Sequence, residues 1–329
     1  MPAMQYTTLG KTGLKVSVAG LGCGGNSRIG QGAGLSEAQS IALIREAVEL
    51  GVTFIDTAEA YGTEAVVGRA FTPSERAALV ISTKSRIARG SELMSAAEVV
   101  ANLDASLKRL KTDYVDLFLL HGVQPGAYDH AANELAPALL KEKAKGKLRH
   151  LGLSESSPMD PEQAMLQRAT EDPVWEVVML AFHMLNQGAR RDVLPRTLRN
   201  GVGTLLMFVV RNIFSNPELL RETLAQLAAA GKVPAELGAS TDPLGFLIHE
   251  GGASGLTDAA YRFVRHEPGC DVVLFGTSKA AHLRSNIASI LAPPLPASDL
   301  ARLNQLFGAL RGVGLDFPER LKTGPSGKG

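Results

Sequence analysis

Short apolar runs alternate with longer amphipathic segments along most of the chain. A short apolar run that stops at a polar or small residue predicts a strand, and apolar residues three or four positions apart predict a helix. The eight strands predicted in this way cover residues 16–21, 53–56, 79–84, 115–121, 149–154, 177–182, 203–208 and 272–275. Eight strands that alternate with helical segments favour an α/β fold with a single closed (β/α)8 barrel, the TIM barrel.

The helices predicted between the strands cover residues 36–50, 64–71, 96–110, 133–145, 161–168, 259–267 and 280–290. The first has the clearest boundaries, because Ser36 precedes its apolar stripe as an N-cap and Gly51 follows it as a C-terminal cap. Its position between the first two strands supports the alternation of strand and helix.

Two segments fall outside this repeat. Alternating residues around Gly10 and Gly13 predict a β-hairpin that precedes the barrel. Residues 211–255 contain turn-forming residues and a Leu/Ala-rich helical stretch at 219–229, which predicts an elaborated late βα loop. A loop of this length in a barrel usually shapes a binding site rather than the core.

The composition is typical of a globular protein. Hydrophobic residues make up 45% and charged residues 20% of the chain, which provides enough apolar side chain for a large core. We expect residues 1–329 to form a single domain, since α/β barrels are commonly of this length. A small and polar tail at residues 321–329 is expected to be disordered.

Charge and cysteine content limit the possible partners. The 34 Lys and Arg residues nearly balance the 33 Asp and Glu residues, so no net field attracts nucleic acid or an anionic membrane. Cys23 and Cys270 are far apart and lack metal-ligand spacing, so neither a metal site nor a disulfide framework is expected. Without an apolar signal core or a membrane-spanning run, the sequence predicts a cytoplasmic protein.

Polar residues end three successive predicted strands. Asp56 ends the second, Lys84 the third and His121 the fourth, and Tyr61 follows Asp56 within one short loop. The active sites of βα barrels lie at the C-terminal ends of the strands, so these side chains should point into one mouth. We therefore predict that all four are catalytic.

These residue types suit the reduction of a carbonyl group. As hydride arrives at the carbonyl carbon, the oxygen needs a proton, and a free tyrosine with a pKa of about 10 is a reluctant donor. A nearby cation such as Lys84 lowers the pKa of a tyrosine, and a carboxylate such as Asp56 stabilises that cation when it is buried. His121 could orient the carbonyl oxygen through a hydrogen bond.

Each of these residues by itself also has a structural interpretation. Asp56 could cap a loop, Lys84 could lie on the surface, and His121 could be a satisfied buried histidine. Their occurrence together with Tyr61 at strand ends favours catalysis.

Glycines 20, 22 and 25 match the G-x-G-x-x-G pattern of a dinucleotide-binding loop. That pattern should open directly into a helix, but the first predicted helix begins only at Ser36. We therefore reject a Rossmann fold and predict a glycine-rich first βα loop, in which Gly22 and Asn26 border the site.

The residues around Tyr61 resemble the signature of the aldo-keto reductase family. The string Phe-Ile-Asp-Thr-Ala-Glu-Ala-Tyr-Gly at residues 54–62 carries this resemblance, and further matches follow in the family's order. They are Glu64, Gly68, Lys84, residues 116–121, 152–154 and 276–279, His282, Leu283 and Asn286. The resemblance covers residues 6–290 and is to bacterial NAD(P)-dependent aldo/keto reductases.

The resemblance implies further roles. The family's catalytic tetrad corresponds to Asp56, Tyr61, Lys84 and His121, and the implied coenzyme is an extended NADPH. Ser154 matches the serine that holds the nicotinamide carboxamide. In the family, one segment binds the adenosine end and the 2′-phosphate of the coenzyme. The residues that match it are Gly276, Thr277, Ser278, Lys279 and Asn286. A backbone turn at a helix N-terminus is also a suitable phosphate site on physical grounds.

The chain departs from the family pattern at several coenzyme-binding positions. Glu155 stands where many members have asparagine, and Met179 stands where many have a glutamine that binds the carboxamide. Phe208 and Arg211 are the candidates for the residue that stacks on the nicotinamide. His282 stands where arginine often lies near the 2′-phosphate, so NADPH is expected and NAD remains possible.

The expected function is NAD(P)H-dependent reduction of an aldehyde or ketone to an alcohol, or the reverse on a sugar or secondary alcohol, with Tyr61 as proton donor. The alternative is a coenzyme-binding regulatory subunit of the same fold with little turnover. A metal-dependent barrel hydrolase would need His, Asp or Glu ligands at several strand ends, which this sequence lacks. We expect a small carbonyl or sugar substrate, and a monomer or small homo-oligomer.

Overall fold

Eight parallel strands close into a barrel in the structure, a computed structural model that describes residues 2–315. In chain order, the first to eighth barrel strands are Ala19–Gly22, Phe54–Asp56, Val80–Arg86, Val115–Val123, Leu148–Glu155, Val177–Ala181, Gly203–Met207 and Val272–Phe275. The eighth strand pairs with the first, which closes the barrel. The predicted (β/α)8 barrel is therefore confirmed, and the predicted tail at residues 321–329 lies outside the described residues.

The predicted N-terminal hairpin precedes the barrel. Tyr6–Thr8 pairs antiparallel with Lys15–Ser17. The strand predicted at residues 16–21 is divided between this hairpin and the first barrel strand, because the chain turns a corner after Ser17. Ser17 Oγ donates to the Ala19 carbonyl at 2.7 Å and accepts from the Thr53 amide at 2.9 Å, so it satisfies the backbone where the chain leaves the hairpin.

Helices surround the barrel and connect its strands. Within the described residues they are Glu37–Glu49, Glu64–Ala70, Pro73–Arg76, Ala96–Leu110, Tyr128–His130, Ala136–Ala144, Ala164–Ala169, Ala189–Asp192, Leu194–Asn200, Arg211–Ser215, Pro217–Ala229, Ala235–Ala239, Leu256–Arg265, Ala280–Ile290 and Ala297–Phe307. A small hairpin of Ala88–Arg89 and Glu92–Leu93 follows the third barrel strand. In residues 2–315, no helix is both long and apolar enough to cross a membrane.

Local side chains set the ends of the helices. Ser36 and Gln39 form a capping box at the start of the first helix, and Gly51 follows its end with a φ of 94°. The helix predicted at residues 161–168 begins only at Ala164, because Gln163 before it has a left-handed backbone with a φ of 55°. The predicted helix at 219–229 is the C-terminal part of Pro217–Ala229.

Apolar side chains form two layers. Phe54, Leu117 and Val177 belong to the layer inside the barrel, and Val178 and Leu206 belong to the layer between the strands and the helices. Neighbouring residues of one strand thus face opposite layers, as barrel geometry requires. The two layers fix the strands in register, so the polar residues at the strand ends meet at one mouth.

The opposite end of the barrel contains a buried ionic cluster. Asp116, near the start of the fourth strand, is fully buried. Its carboxylate accepts hydrogen bonds from Arg76 Nη2 at 2.8 Å, the Ile81 amide at 2.9 Å and Arg149 Nη1 at 2.9 Å. The Arg76 side chain is itself only 8% exposed, so the cluster joins a helix to three strands away from the mouth.

We expect Asp116→Ala to lower the free energy of unfolding by about 3 to 5 kcal/mol, because it leaves the buried Arg76 guanidinium without a countercharge. Chemical denaturation at neutral pH measures this change. The matched control is Asp129→Ala, since the Asp129–Arg168 ion pair is largely exposed and its loss should cost less than about 1 kcal/mol. Equal losses in the two variants would contradict this account of the cluster.

Candidate active site

An ion pair between Asp56 and Lys84 lies at the mouth of the barrel. Asp56 ends the second strand and pairs in register with Ser82, and Lys84 lies two residues further along the third strand. Lys84 Nζ is 2.7 Å from each Asp56 carboxylate oxygen and 2.8 Å from the Thr57 carbonyl oxygen. These acceptors can take all three protons of the ammonium group. The fully buried Lys84 side chain is therefore held in one orientation.

Burial acts on both charges of this pair. It raises the pKa of Asp56, and the Lys84 ammonium only partly opposes this effect. Burial also tends to lower the pKa of Lys84, but the Asp56 carboxylate and the Tyr61 hydroxyl outweigh it, so the pKa of Lys84 lies above its usual value. Lys84 therefore remains an ammonium group at neutral pH.

A short turn brings Tyr61 back over the ion pair. The 3-10 turn Glu59–Tyr61 follows the second strand, and Gly62 ends it in a left-handed conformation with a φ of 70°. Arg28 Nε donates to the Tyr61 carbonyl at 2.8 Å, which fixes the turn against the first βα loop. In that loop, a Cβ atom at Gly24 would lie 2.5 Å from the Tyr61 ring, so the ring position requires glycine there.

The Tyr61 hydroxyl lies between a cation and an imidazole. It is 3.5 Å from Lys84 Nζ and 3.4 Å from His121 Nε2. The His121 ring, from the fourth strand, meets the Tyr61 ring edge-on at 87°, with the ring centroids 5.4 Å apart. The structure thus brings together the four side chains predicted to be catalytic, which are Asp56, Tyr61, Lys84 and His121.

A cavity of about 790 Å³ opens over this cluster. The predicted site residues that line it are Gly22, Asn26, Asp56, Tyr61, His121, Ser154, Glu155, Met179, Phe208, Arg211, Gly276, His282 and Asn286. Lys84 lies behind this lining, in contact with Asp56 and Tyr61. Thr277, Ser278 and Lys279 are outside the lining and continue the loop from Gly276 to the helix Ala280–Ile290.

Glu155 and Met179, two residues that differ from the family pattern, line the cavity next to Ser154. Ser154 Oγ accepts a hydrogen bond from the Gly122 amide at 2.9 Å. Next to it, Glu155 Oε1 accepts from the Ala181 amide at 2.6 Å, and Met179 is buried in the adjacent strand. Because Glu155 is buried, its pKa is raised to about 7. This part of the cavity therefore contains an acid that can be charged or neutral near neutral pH.

Phe208 and Arg211 follow the seventh strand. Both have left-handed backbones, with φ values of 65° and 46°. The Arg211 guanidinium carbon lies 4.2 Å from the centroid of the Phe208 ring, a cation–π arrangement. Left-handed residues other than glycine are uncommon and tend to occur at functional sites. These two side chains form one wall of the cavity.

Several lining residues were not predicted. They include Ser27, Arg86, Asn212, Ser215, Thr257, Tyr261 and Ser285. Two of them had a signal in the sequence: Tyr261 lies four positions after Thr257 on one helix face, and Ser285 lies three positions after the predicted His282. The others lie outside the predicted strands and helices: Arg86 ends the third strand two residues beyond its predicted end, and Asn212 and Ser215 lie on the short helix Arg211–Ser215. Within the described residues, no group of three His, Cys, Asp or Glu side chains could hold a metal ion.

Comparison with known sequences identifies relatives along most of the chain. The model of the Aldo/keto reductase family matches residues 20–307. The chain is 33% identical over 212 residues to L-galactose dehydrogenase from Arabidopsis thaliana, which covers 62% of this chain and 65% of that protein. It is 27% identical over 321 residues to aldo-keto reductase YhdN from Bacillus subtilis, which covers 92% and 93% of the two chains.

Solved structures share the fold. The apo and holo forms of aldo-keto reductase AKR11C1 from Bacillus halodurans superpose with TM-scores of 0.69 and 0.70, over 95% of this chain and 100% of theirs. Their sequence identities of 21% and 20% support a common fold only. Because the family model spans nearly the whole barrel, this chain belongs to the aldo/keto reductase family and is an oxidoreductase of the NAD(P)H-dependent carbonyl type.

Proposed function

We propose that this protein reduces an aldehyde or ketone to an alcohol, or oxidises a sugar or secondary alcohol in the reverse direction, with Tyr61 exchanging the proton. One observation carries the proposal: the Tyr61 hydroxyl lies 3.5 Å from the Lys84 ammonium and 3.4 Å from His121 Nε2, at the edge of the cavity. The nicotinamide coenzyme supplies or accepts the hydride.

Lys84 acts on Tyr61 mainly through its charge. Its three protons point to acceptors at 2.7 to 2.8 Å, whereas the Tyr61 oxygen is further away at 3.5 Å. A buried cation at this distance stabilises the phenolate that remains when Tyr61 gives up its proton. Asp56 is a positioning residue, because it keeps the ammonium charged and in place. His121 can donate a hydrogen bond to the carbonyl oxygen from the other side.

The cavity residues fit an extended nicotinamide coenzyme. The nicotinamide end would lie near Tyr61, with the carboxamide at Ser154. The adenosine end would lie at Gly276, His282 and Asn286, next to the first turn of Ala280–Ile290. Gly276 has no side chain to obstruct a ligand, and the unpaired amide groups at a helix N-terminus favour phosphate. Phe208 and Arg211 are the candidates for stacking on the nicotinamide.

The preferred coenzyme that we propose is NADPH. Lys279 is exposed immediately before Ala280–Ile290, where its charge would act on a 2′-phosphate. Thr277 Oγ1 accepts from the Lys279 amide at 3.0 Å, so the loop that presents this lysine is ordered by a local turn. His282 in place of an arginine weakens the preference, and NADH is expected to bind as well.

The substrate class that we propose is a small carbonyl compound or sugar. The name of the relative L-galactose dehydrogenase supports a sugar as a substrate to test first. A regulatory subunit with little turnover, a cytoplasmic location and a monomer or small homo-oligomer remain predictions from the sequence.

We expect Tyr61→Phe to reduce turnover by about 10² to 10⁴-fold, the usual contribution of a positioned general acid. Coenzyme affinity should stay within about twofold, since the ring and its packing are retained. Steady-state rates with a panel of aldehydes, ketones and sugars, and fluorescence titration with NADPH, measure the two effects. Tyr6→Phe is the control, because the Tyr6 hydroxyl donates to the Gly51 carbonyl and does not line the cavity. Unchanged turnover in Tyr61→Phe would reject the proposal, and negligible wild-type turnover with tight coenzyme binding would favour the regulatory alternative.

We expect Gly24→Ala to lower turnover by about 10 to 100-fold while the fold is kept, because its Cβ would push the Tyr61 ring out of place. Circular dichroism and steady-state kinetics separate folding from catalysis. Gly126→Ala is the matched control, since a Cβ atom there meets nothing within 4 Å. A Gly24→Ala enzyme with wild-type turnover would show that the position of Tyr61 does not limit the reaction.

We expect Lys279→Met to weaken NADPH binding by about two- to fivefold and to leave NADH binding unchanged, as for a partly exposed charge contact. Titration of both coenzymes at low ionic strength tests this expectation. Lys232→Met, which removes another exposed lysine, is the control. Equal weakening of NADPH and NADH would place the 2′-phosphate elsewhere.

A further inference from the structure

Glu155 is a buried acid in the wall of the coenzyme cavity. It ends the fifth barrel strand next to Ser154 and is 3% exposed. Oε1 accepts hydrogen bonds from the Ala181 amide at 2.6 Å and from Gln163 Nε2 at 3.1 Å. Within residues 2–315, Oε2 has no hydrogen-bond partner and Glu155 forms no ion pair. The nearby Ser157 hydroxyl lowers the pKa of Glu155, but its oxygen is not in hydrogen-bonding geometry. One of the two carboxylate oxygens of Glu155 therefore lacks a hydrogen-bond donor within the described residues.

No cation neutralises Glu155 from its own segment. The charged group nearest in sequence is Asp160, whose carboxylate accepts from the Ala164 and Met165 amides and disfavours a second negative charge. His183, after the adjacent sixth strand, stays neutral because burial lowers its pKa to about 3. Burial without a countercharge is the main reason that the pKa of Glu155 is raised to about 7.

Other ionisable groups line the same cavity as Glu155. Those that line it are Asp56, Tyr61, Arg86, His121, Arg211, Tyr261 and His282. The charge of Asp56 is compensated by Lys84. Of the lining groups, His121 lies on the strand paired with that of Glu155, so it is the one that an experiment must separate from Glu155.

The two redox forms of the coenzyme differ in charge at the nicotinamide ring. The oxidised ring is a cation and the reduced ring is neutral, whereas the phosphates and the adenosine are common to both forms. A carboxylate in a low-dielectric wall therefore stabilises the oxidised form more than the reduced form. An uncharged amide at the same position would have little such effect.

We propose that Glu155 selects the redox state of the bound coenzyme, with its buried carboxylate stabilising the cationic oxidised nicotinamide over the neutral reduced one. This inference rests on the proposed position of the nicotinamide at Ser154. It follows that binding of the oxidised coenzyme favours ionised Glu155 and releases a proton. The affinity for the oxidised form then rises with pH as Glu155 ionises, and the affinity for the reduced form does not.

The test measures the dissociation constants of NADP⁺ and NADPH by protein fluorescence in the wild-type protein. Between about pH 6 and about pH 8, the ratio of the NADP⁺ to the NADPH dissociation constant should fall about fivefold, if the oxidised coenzyme lowers the pKa of Glu155 by about one unit. Titration of the 2′-phosphate cancels in this ratio. Calorimetry in two buffers of different ionisation enthalpy should detect more proton release with NADP⁺ than with NADPH.

Glu155→Gln should make the ratio independent of pH. The control Glu162→Gln replaces an exposed acid outside the cavity, so it should keep the pH dependence of the wild-type ratio. Gln163→Leu provides a second route if Glu155→Gln does not fold. It removes a hydrogen bond that favours ionised Glu155, so the midpoint of the pH dependence should move up.

A ratio that is independent of pH in the wild-type protein, or a pH dependence that persists in Glu155→Gln, overturns the inference. In either case both coenzymes still bind, and the proposed function stands. Failure of both NADP⁺ and NADPH to bind would instead contradict the proposed function.

Discussion

The buried ion pair of Asp56 and Lys84 is the interaction on which the rest of the site depends. An ammonium group transferred from water into the barrel without a partner would cost several kcal/mol or lose its proton. The structure avoids both outcomes by giving Lys84 Nζ three acceptors at 2.7 to 2.8 Å. This requires the second and third strands to keep their register, and it leaves a fixed positive charge 3.5 Å from the Tyr61 hydroxyl.

The two ends of the barrel have different roles. The end where the strands begin stabilises the fold, and the end where they finish contains the candidate active site. At the start of the strands, the Asp116 carboxylate is saturated by two arginines and a backbone amide. At their carboxyl ends, polar side chains are left facing a cavity, and Oε2 of Glu155 lacks a partner within the described residues. Buried polar groups normally have hydrogen-bond partners. A buried carboxylate oxygen without a partner in a cavity wall is therefore a position where a bound ligand changes the free energy of ionisation.

The cavity wall around Glu155 departs further from the pattern that the resemblance implies than the cluster around Tyr61 does. Asp56, Tyr61, Lys84 and His121 match the residue types that the resemblance implies, and in the structure the carboxylate holds the ammonium group beside the phenol. Glu155 and Met179 stand where the resemblance implies amides. Glu155 introduces an ionisable group, whereas Met179 is uncharged and leaves the local charge as it was. Under our proposal, the ionisable Glu155 makes this wall respond to the charge of the nicotinamide ring.

The sequence by itself determined the barrel and the tetrad, since both depend on local patterns: apolar runs of strand length, helical periodicity between them, and polar residues at the strand ends. It did not reveal the helices Ala189–Asp192 and Leu194–Asn200, the division of the first strand at Ser17, or the short helix Arg211–Ser215 that places Asn212 and Ser215 in the cavity wall. The sequence also did not predict that the pKa of Glu155 is raised, because this shift depends on burial in the folded chain. These features depend on contacts between residues distant in sequence, and only the folded chain decides which buried groups find partners.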